Sequence, residues 1–189
     1  MDFAARSFAA DGYHTTSVTS IVDGVGVGKG VFYWYFESKD EMLSEILTEA
    51  LHSMRQAQRE AIADEPDPGR RIEQGIRASL RWLSDNRHLF VLMEFARTEE
   101  RFAPIIRQGD QQTVADALPH VSAGITAGLL RGEDPVILTL AILGVTAHLA
   151  RVLVLEQGED ADRVAAAAIA FCRQGYVNTE NSTLERRIA

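Results

Sequence analysis

Residues 15–39, TTSVTSIVDGVGVGKGVFYWYFESK, bring hydroxyl, aromatic and basic side chains together in one short segment. Hydroxyls, tyrosines and lysines donate hydrogen bonds to phosphate oxygens, and helix N-termini do the same. The closely spaced Gly24, Gly26 and Gly28 are not preceded by a strand, so the segment does not fit a dinucleotide-binding loop. The chemistry of these side chains therefore indicates contact with the backbone and grooves of a nucleic acid.

Two short helices are predicted to position these side chains. The first is capped by Thr16 or Ser17 and runs to about Val25, and the second covers about Lys29–Tyr35. Gly26 suits the turn between them, because glycine adopts the left-handed conformation that ends helices. A short helix, a glycine turn and a second short helix form the arrangement that presents one helix to the DNA major groove.

The remainder of the chain has helical periodicity, and no segment alternates apolar and polar residues like a half-buried strand. We therefore expect an all-α fold of about nine helices. Besides the pair above, the predicted helices cover about 2–10, 39–63, 70–84, 87–96, 104–130 (with a possible kink at Pro119), 135–155 and 160–176.

Composition limits how this chain can bind DNA. It has 189 residues, 46% of them hydrophobic, and a formal charge of −8, and residues 1–47 alone carry −4. Binding cannot depend on positive charge alone, because a protein that binds in that way shows a basic patch. Cys172 has no second cysteine to pair with and is most simply a small packed hydrophobe. With no recognisable signal peptide, these features predict a cytoplasmic protein.

The segment Val136–Leu155 is long and apolar enough to span a membrane. It nevertheless contains Thr139, Thr146, His148 and Arg151, and small residues recur along it. A helix that is apolar all round is either lipid-facing or buried on both sides. We therefore predict that one side faces the core and the other a partner subunit, with no membrane insertion.

The first 50 residues resemble the DNA-binding region of TetR-type transcriptional regulators, and beyond residue 50 the resemblance is looser. It rests on Phe8, Gly12-Tyr13, Thr15-Thr16-Ser17-Val18, Ile21, Gly26-Val27, Lys29-Gly30, Phe32-Tyr33, Tyr35-Phe36 and Lys39. The resemblance implies that the third helix is the recognition helix. The DNA-binding residues that it implies are Thr16, Ser17, Gly28, Lys29, Gly30, Val31, Tyr33, Trp34, Tyr35 and Lys39. Among them, Thr16, Ser17, Tyr35 and Lys39 are expected to hold phosphates.

The same resemblance implies a DNA-binding domain over residues 1–47, an effector-binding and dimerisation domain over 48–178, and a polar tail over 179–189. It implies a repressor that binds a near-palindromic operator as a homodimer, with recognition helices about 34–36 Å apart. A small, largely apolar effector would tilt helix 4 and release the DNA. The candidate pocket residues are Trp82, Phe90, Met93, Phe102, Ile106 and His148. The candidate dimer residues, on helices 8 and 9, are Leu140, Gly144, Ala147, Arg151, Ala165, Ala168 and Cys172.

Other interpretations stay open at this point. The acidic N-terminal region also fits a helical dimer that binds a small molecule but has weak or lost DNA binding. Phe32 and Phe36 share a face and fit the core better than DNA, and Trp34 could pack on its own domain. An enzymatic function has no residue constellation behind it, because the histidines do not pair at metal-ligand spacing. We predict no catalytic residue, metal or cofactor.

Overall fold

The computed structural model describes residues 1–176, with side chains to residue 173, so the predicted tail lies outside the described part. Within it, nine α-helices, one π-helical segment and no strand confirm the all-α prediction. The helices are α1 Asp2–Asp11, α2 Val18–Val25, α3 Lys29–Tyr35, α4 Lys39–Ile62, α5 Pro68–Asp85, α6 Arg87–Thr98, α7 Ala103–Thr126, α8 Pro135–Leu149 and α9 Ala161–Tyr176, and the π-helical segment is Ala150–Glu156.

The chain divides into two compact units. The N-terminal unit comprises residues 1–53 and 86–109, and the C-terminal unit comprises 54–85 and the described residues from 110 onward. Helix α4 begins in the first unit and ends in the second. No sequence pattern connects residues 86–109 with the DNA-binding segment, and the domain boundary at residue 47 stays a prediction.

An aromatic cluster forms the centre of the N-terminal unit. The ring of Tyr13 lies 5.3 Å from Phe8, 5.6 Å from Phe95 and 5.4 Å from Phe102, centroid to centroid. Since edge-to-face and tilted aromatic pairs stabilise a core beyond their buried area, this cluster joins α1 to α6 and to the start of α7. The helix-turn-helix is thus supported by residues far away in the sequence.

The core of the C-terminal unit is built where α5 and α9 pack together. Leu80 of α5 and Val164, Ala165 and Ala168 of α9 are fully or almost fully buried. The small alanine side chains let the two helices approach closely, and the unit therefore uses one face of α9 for its own core.

The predicted helix 8 ends earlier than its sequence suggested. Asp134 caps its start, since its carboxylate accepts from the amides of Val136 at 2.7 Å and Ile137 at 3.4 Å. The α-helix changes to π-helix at Ala150, a rearrangement that apolar periodicity does not reveal. Residues 135–156 are long and apolar enough to span a membrane. In their most apolar stretch, 28% of the residues are buried in the protein.

Candidate nucleic-acid interface and internal cavity

The helix-turn-helix is defined by its caps. The Ser17 hydroxyl accepts from the Ser20 amide at 3.0 Å, and the Ser20 hydroxyl accepts from the Ser17 amide at 3.1 Å, so α2 begins with a capping box. Gly26, with a φ of 73°, ends α2 in the left-handed conformation. Gly28, which has no side chain, precedes α3, so no side chain caps the amides of the first turn of α3.

Helix α3 separates its aromatic residues into a buried and an exposed set. Phe32 is buried, as predicted, whereas Tyr33 is 59% and Trp34 78% exposed, and Tyr35 is exposed beside them. The rings of Trp34 and Tyr35 meet edge to face at 4.6 Å, which holds two large exposed side chains in a fixed arrangement. Exposed apolar groups of this size are typical of a binding surface, and Trp34 does not pack on its own unit.

The remaining predicted contacts at the start of α3 are also exposed. Lys29 and Val31 lie at the surface with Gly28 and Gly30, and a Cβ atom added at either glycine would meet nothing within 4 Å. A close approach to DNA is therefore sterically possible at both glycines. Ser17 is exposed too, although its hydroxyl already serves the capping box.

Two residues predicted to hold phosphates, Thr16 and Lys39, make their hydrogen bonds within the protein. Thr16 is only 4% exposed, and its hydroxyl donates to the carbonyl of Gly12 at 2.8 Å, which corrects the expectation that this hydroxyl holds a DNA phosphate. The Lys39 amine donates to the carbonyls of Tyr13 at 2.7 Å and Thr16 at 2.8 Å, and it lies 4.3 Å from the centre of the Tyr13 ring. Lys39 thus ties the first residue of α4 to the turn before α2.

The start of α4 is held by a second set of contacts that sequence reasoning missed. The Tyr13 hydroxyl donates to the carboxylate of Asp40, and Arg101 forms an ion pair with that carboxylate. Burial, and then the hydrogen bond to Asp40, raise the pKa of Tyr13 well above its usual range. The phenol therefore stays protonated and keeps donating. Nothing in the spacing of these three residues points to their meeting.

The C-terminal unit contains a cavity of about 240 Å³. Its walls come from α4, α5, α7 and α8, and every lining residue belongs to this unit. The apolar lining includes Ile62, Ile72, Ile76, Ala117, Val121, Ile142 and Leu143, and the polar lining includes Arg55, Gln58, Arg59, Arg71, Ser79, Thr113, Asp116, His120, Thr139 and Thr146.

None of the six predicted pocket residues lines this cavity. Phe90, Met93, Phe102 and Ile106 are buried in the core of the N-terminal unit. In the C-terminal unit, Trp82 is buried away from the cavity wall and His148 is exposed. Core aromatics and pocket aromatics have the same sequence pattern, and the assignment is corrected for all six.

The exposed faces of α8 and α9 form an apolar surface. Ile137 is 66%, Leu140 51% and Phe171 65% exposed, and Gly144 and Ala147 lie at the surface as well. Ala165, Ala168 and Cys172 are buried within the chain, which corrects their assignment to a partner-facing side. The apolar residues of α9 that face outward, among those whose side chains are described, are Ala166, Ala167, Ala170 and Phe171. Arg151, half-buried, forms an ion pair with Glu156 at 2.5 Å.

An all-helical chain with an N-terminal helix-turn-helix and a second, cavity-bearing helical unit defines a class of DNA-binding regulators. The sequence model of "Bacterial regulatory proteins, tetR family" matches residues 1–46. Residues 1–46 are therefore assigned to the DNA-binding region of this family.

Relatives and solved structures agree with this assignment. The HTH-type transcriptional regulator YhgD of Bacillus subtilis is 23% identical over 158 residues, covering 76% of each chain. The HTH-type transcriptional repressor KstR2 of Rhodococcus jostii is 36% identical over 73 residues, covering 39% of this chain and 36% of its own. The crystal structure of FadR from Bacillus subtilis in complex with stearoyl-CoA superposes with a TM-score of 0.80 at 20% identity, covering 90% and 94% of the two chains.

Proposed function

We propose that this protein is an operator-binding repressor that reads DNA with the exposed face of α3. The observation that carries the proposal is the exposure of Tyr33, Trp34 and Tyr35 on a helix whose other side is fixed by Phe32. KstR2 of Rhodococcus jostii, which is similar over 73 residues, is a repressor, and this supports repression over activation. Lys29, Val31 and the two glycines beside them would supply the closest contacts to the groove.

A titration of the purified protein against DNA flanking its own gene tests this assignment. Tyr33→Ala is expected to weaken binding about tenfold, because one well-placed contact contributes about 1–3 kcal/mol. Leu129→Ala offers a control, since Leu129 is an exposed apolar residue of the C-terminal unit. Equal binding by wild type and Tyr33→Ala would contradict the assignment of α3. If wild type binds no DNA at low salt, repression itself is excluded.

The cavity of the C-terminal unit is the proposed effector site. FadR of Bacillus subtilis, a structure of the same fold, holds stearoyl-CoA, which supports a small-molecule effector here as well. Helix α4 connects the cavity with the helix-turn-helix through the chain itself. It lines the cavity with Arg55, Gln58 and Ile62, and its first residue, Lys39, donates hydrogen bonds to the turn before α2. A movement of α4 on effector binding would disturb that attachment, and a coupling of about 1–3 kcal/mol is enough for regulation.

The protein is further proposed to act in the cytoplasm as a homodimer through α8 and α9. The apolar surface of Ile137, Leu140 and Phe171 supports this assembly, because monomeric proteins rarely expose a patch of such side chains. Gly144 lies at the same surface, and a Cβ atom there would meet nothing within 4 Å, so a partner helix can approach closely. A two-fold dimer also matches a near-palindromic operator.

Sedimentation measurements separate this assembly from a monomer. Ile137→Glu with Leu140→Glu is expected to give monomers, since the buried charges would have no partner. Leu129→Glu is the matched control, because Leu129 is exposed outside the α8 and α9 surface. Dimers that persist in the double variant, or monomers in the wild type, would contradict the proposed interface.

A further inference from the structure

The cavity carries an excess of positive charge that an apolar effector does not explain. Arg55, Arg59 and Arg71 line it, whereas Asp116 is its only acidic residue. Burial, followed by the nearby Arg71, lowers the pKa of His120, so this histidine is neutral at pH 7 and adds no charge. The lining therefore carries a formal charge of +2 in a protein whose overall charge is −8.

The charged side chains form one cluster. Arg55 holds Asp116 through two hydrogen bonds, from Nε at 2.7 Å and from Nη2 at 3.2 Å. Arg59 acts electrostatically on Asp116, and Arg71 acts on His120, which in turn is influenced by Asp116. Because such interactions fall off with distance, the five groups lie near one another in the cavity lining.

Only part of this positive charge is neutralised within the protein. Asp116 is matched by Arg55, but neither Arg59 nor Arg71 forms a salt bridge with any residue in the described part of the chain. Arg59 donates to the side chain of Gln56 at 2.8 Å, and Arg71 donates to the backbone carbonyl of Glu65, so both partners are uncharged groups. Two guanidinium groups in a cavity wall thus remain available to a negative charge.

The rest of the cavity lining is largely apolar. Ile72, Ile76 and Val121 are buried, whereas Arg59 is exposed, so the cavity reaches solvent at Arg59. The buried Thr139 and Thr146 donate their hydroxyl protons to the carbonyls of their own helix, at 2.7 Å and 2.8 Å. These hydroxyls need no donor interaction with a ligand, and an apolar body fits against them.

We propose that the effector is a monocarboxylate with an apolar body, whose carboxylate binds Arg59 and Arg71 and whose body fills the apolar side of the cavity. The inference rests on the proposed effector site and names its ligand class. A cavity of about 150 Å³ holds benzene, so the 240 Å³ present here suits a ligand of about ten non-hydrogen atoms. Octanoate has that size and charge, and octanamide has the same shape without the charge.

Isothermal titration of the full chain with octanoate and with octanamide tests the proposal without any variant. Octanoate is expected to bind at least tenfold more tightly, because hydrogen bonds between charged groups are about twice as strong as neutral ones. Equal binding of both compounds would overturn the carboxylate assignment. Absence of binding by either at millimolar concentration would overturn the assignment and the ligand size together.

Two sets of variants locate the carboxylate. Arg59→Gln with Arg71→Gln is expected to remove the preference for octanoate and to leave octanamide binding unchanged, while Arg70→Gln, next in sequence but outside the lining, should change neither. Asp116→Asn is expected to tighten octanoate binding severalfold, a gain that misfolding cannot produce. If the double variant binds octanoate and octanamide equally more weakly, the arginines have only a structural role. If Asp116→Asn binds octanoate as wild type does or more weakly, the assignment of the charged cluster to carboxylate binding is contradicted.

Failure of this inference is distinguishable from failure of the proposed function. Each titration is paired with a gel shift on the operator DNA in the presence and absence of octanoate. Operator binding without any effect of octanoate would overturn the effector class and leave the repressor intact. Absence of operator binding at low salt would overturn the repressor, whatever the calorimetry shows.

Discussion

Replacing Lys39 with methionine separates two roles that this residue can have. The resemblance to TetR-type regulators implies that Lys39 holds a DNA phosphate, whereas in the structure its amine donates to the carbonyls of Tyr13 and Thr16. Methionine keeps the unbranched stem of lysine but removes the charge and the donors. The substitution therefore tests whether Lys39 acts on DNA or on the attachment of α4 to the turn before α2.

The structure gives the expected size of the effect on stability. Each hydrogen bond from a charged donor contributes about 1.5–3 kcal/mol, and the interaction with the Tyr13 ring adds about 0.5–1 kcal/mol. Because Lys39 is half-buried, water can hydrogen-bond to the freed carbonyls of Tyr13 and Thr16 in the folded variant, which offsets part of this loss. We expect Lys39→Met to lower the free energy of unfolding by about 2 kcal/mol.

Urea unfolding followed by circular dichroism measures this loss, and the salt dependence of operator binding measures the other role. Lys29→Met is the control, because Lys29 is exposed at the start of α3. Lys29→Met should leave stability unchanged and reduce the salt slope by about 1 for each lysine removed. The reasoning is refuted if Lys39→Met unfolds like wild type and reduces the salt slope instead.

Three further predictions concern single residues. Trp34→Ala should change the free energy of unfolding by no more than about 0.5 kcal/mol and weaken operator binding about tenfold, since Trp34 is exposed. Phe32→Ala on the same helix should lower the free energy of unfolding by about 3–5 kcal/mol in a thermal melt, since Phe32 is buried. Ser17→Ala removes the cap of α2 and should cost about 1 kcal/mol in urea unfolding, and an unchanged midpoint would contradict the capping box. The pKa of His120 is lower in the folded chain than its ordinary 6.5, so the unfolded chain binds more protons and stability should fall as the pH drops through 6.5. His120→Gln should flatten that dependence in melts between about pH 7.5 and 5.5.

Local signals in the sequence were sufficient to predict the DNA-binding elements. Ser17 can cap a helix and Gly26 can end one, and these two residues bound α2. The prediction of a second short helix over Lys29–Tyr35 is confirmed. Burial of Phe32 also follows, because its spacing to Phe36 and the face of α2 fix one side of a short helix. In each case the residues that interact lie close together in the sequence.

The cavity could not be predicted in the same way, because its walls depend on which helices meet. Phe90 and Phe102 look like pocket residues in the sequence, yet they pack in the N-terminal unit around Tyr13. Arg59 and Arg71, which line the cavity, look like solvated charges. For Arg59 the usable signal was its position on the same face of α4 as Ile62, three residues away, which a search for apolar residues passes over.

The two faces of α9 show a different limit. Ala165 and Ala168 share a spacing with the buried core, and Ala167 and Ala170 have the same spacing on the opposite side. A helix with small residues on both sides gives no periodic signal to decide which side meets its own chain and which a partner. Phe171, exposed among these alanines, distinguishes the outer side only once the packing on α5 is known.

The cations of residues 1–53, the segment that contains the helix-turn-helix, affect how the protein holds DNA. Of the three cations in this segment, Arg6 pairs with Asp2 at 2.9 Å and Lys39 is bound to backbone carbonyls, which leaves Lys29 of this segment for phosphate. A dimer would then neutralise about two phosphates, and the slope of log affinity against log salt should be near −2. Neutral donors, the N-terminus of α3 and the exposed aromatics would supply the remaining affinity, which depends little on salt. A slope near −6 or steeper in operator titrations would show that other cations contact the DNA, and would refute this account of the interface.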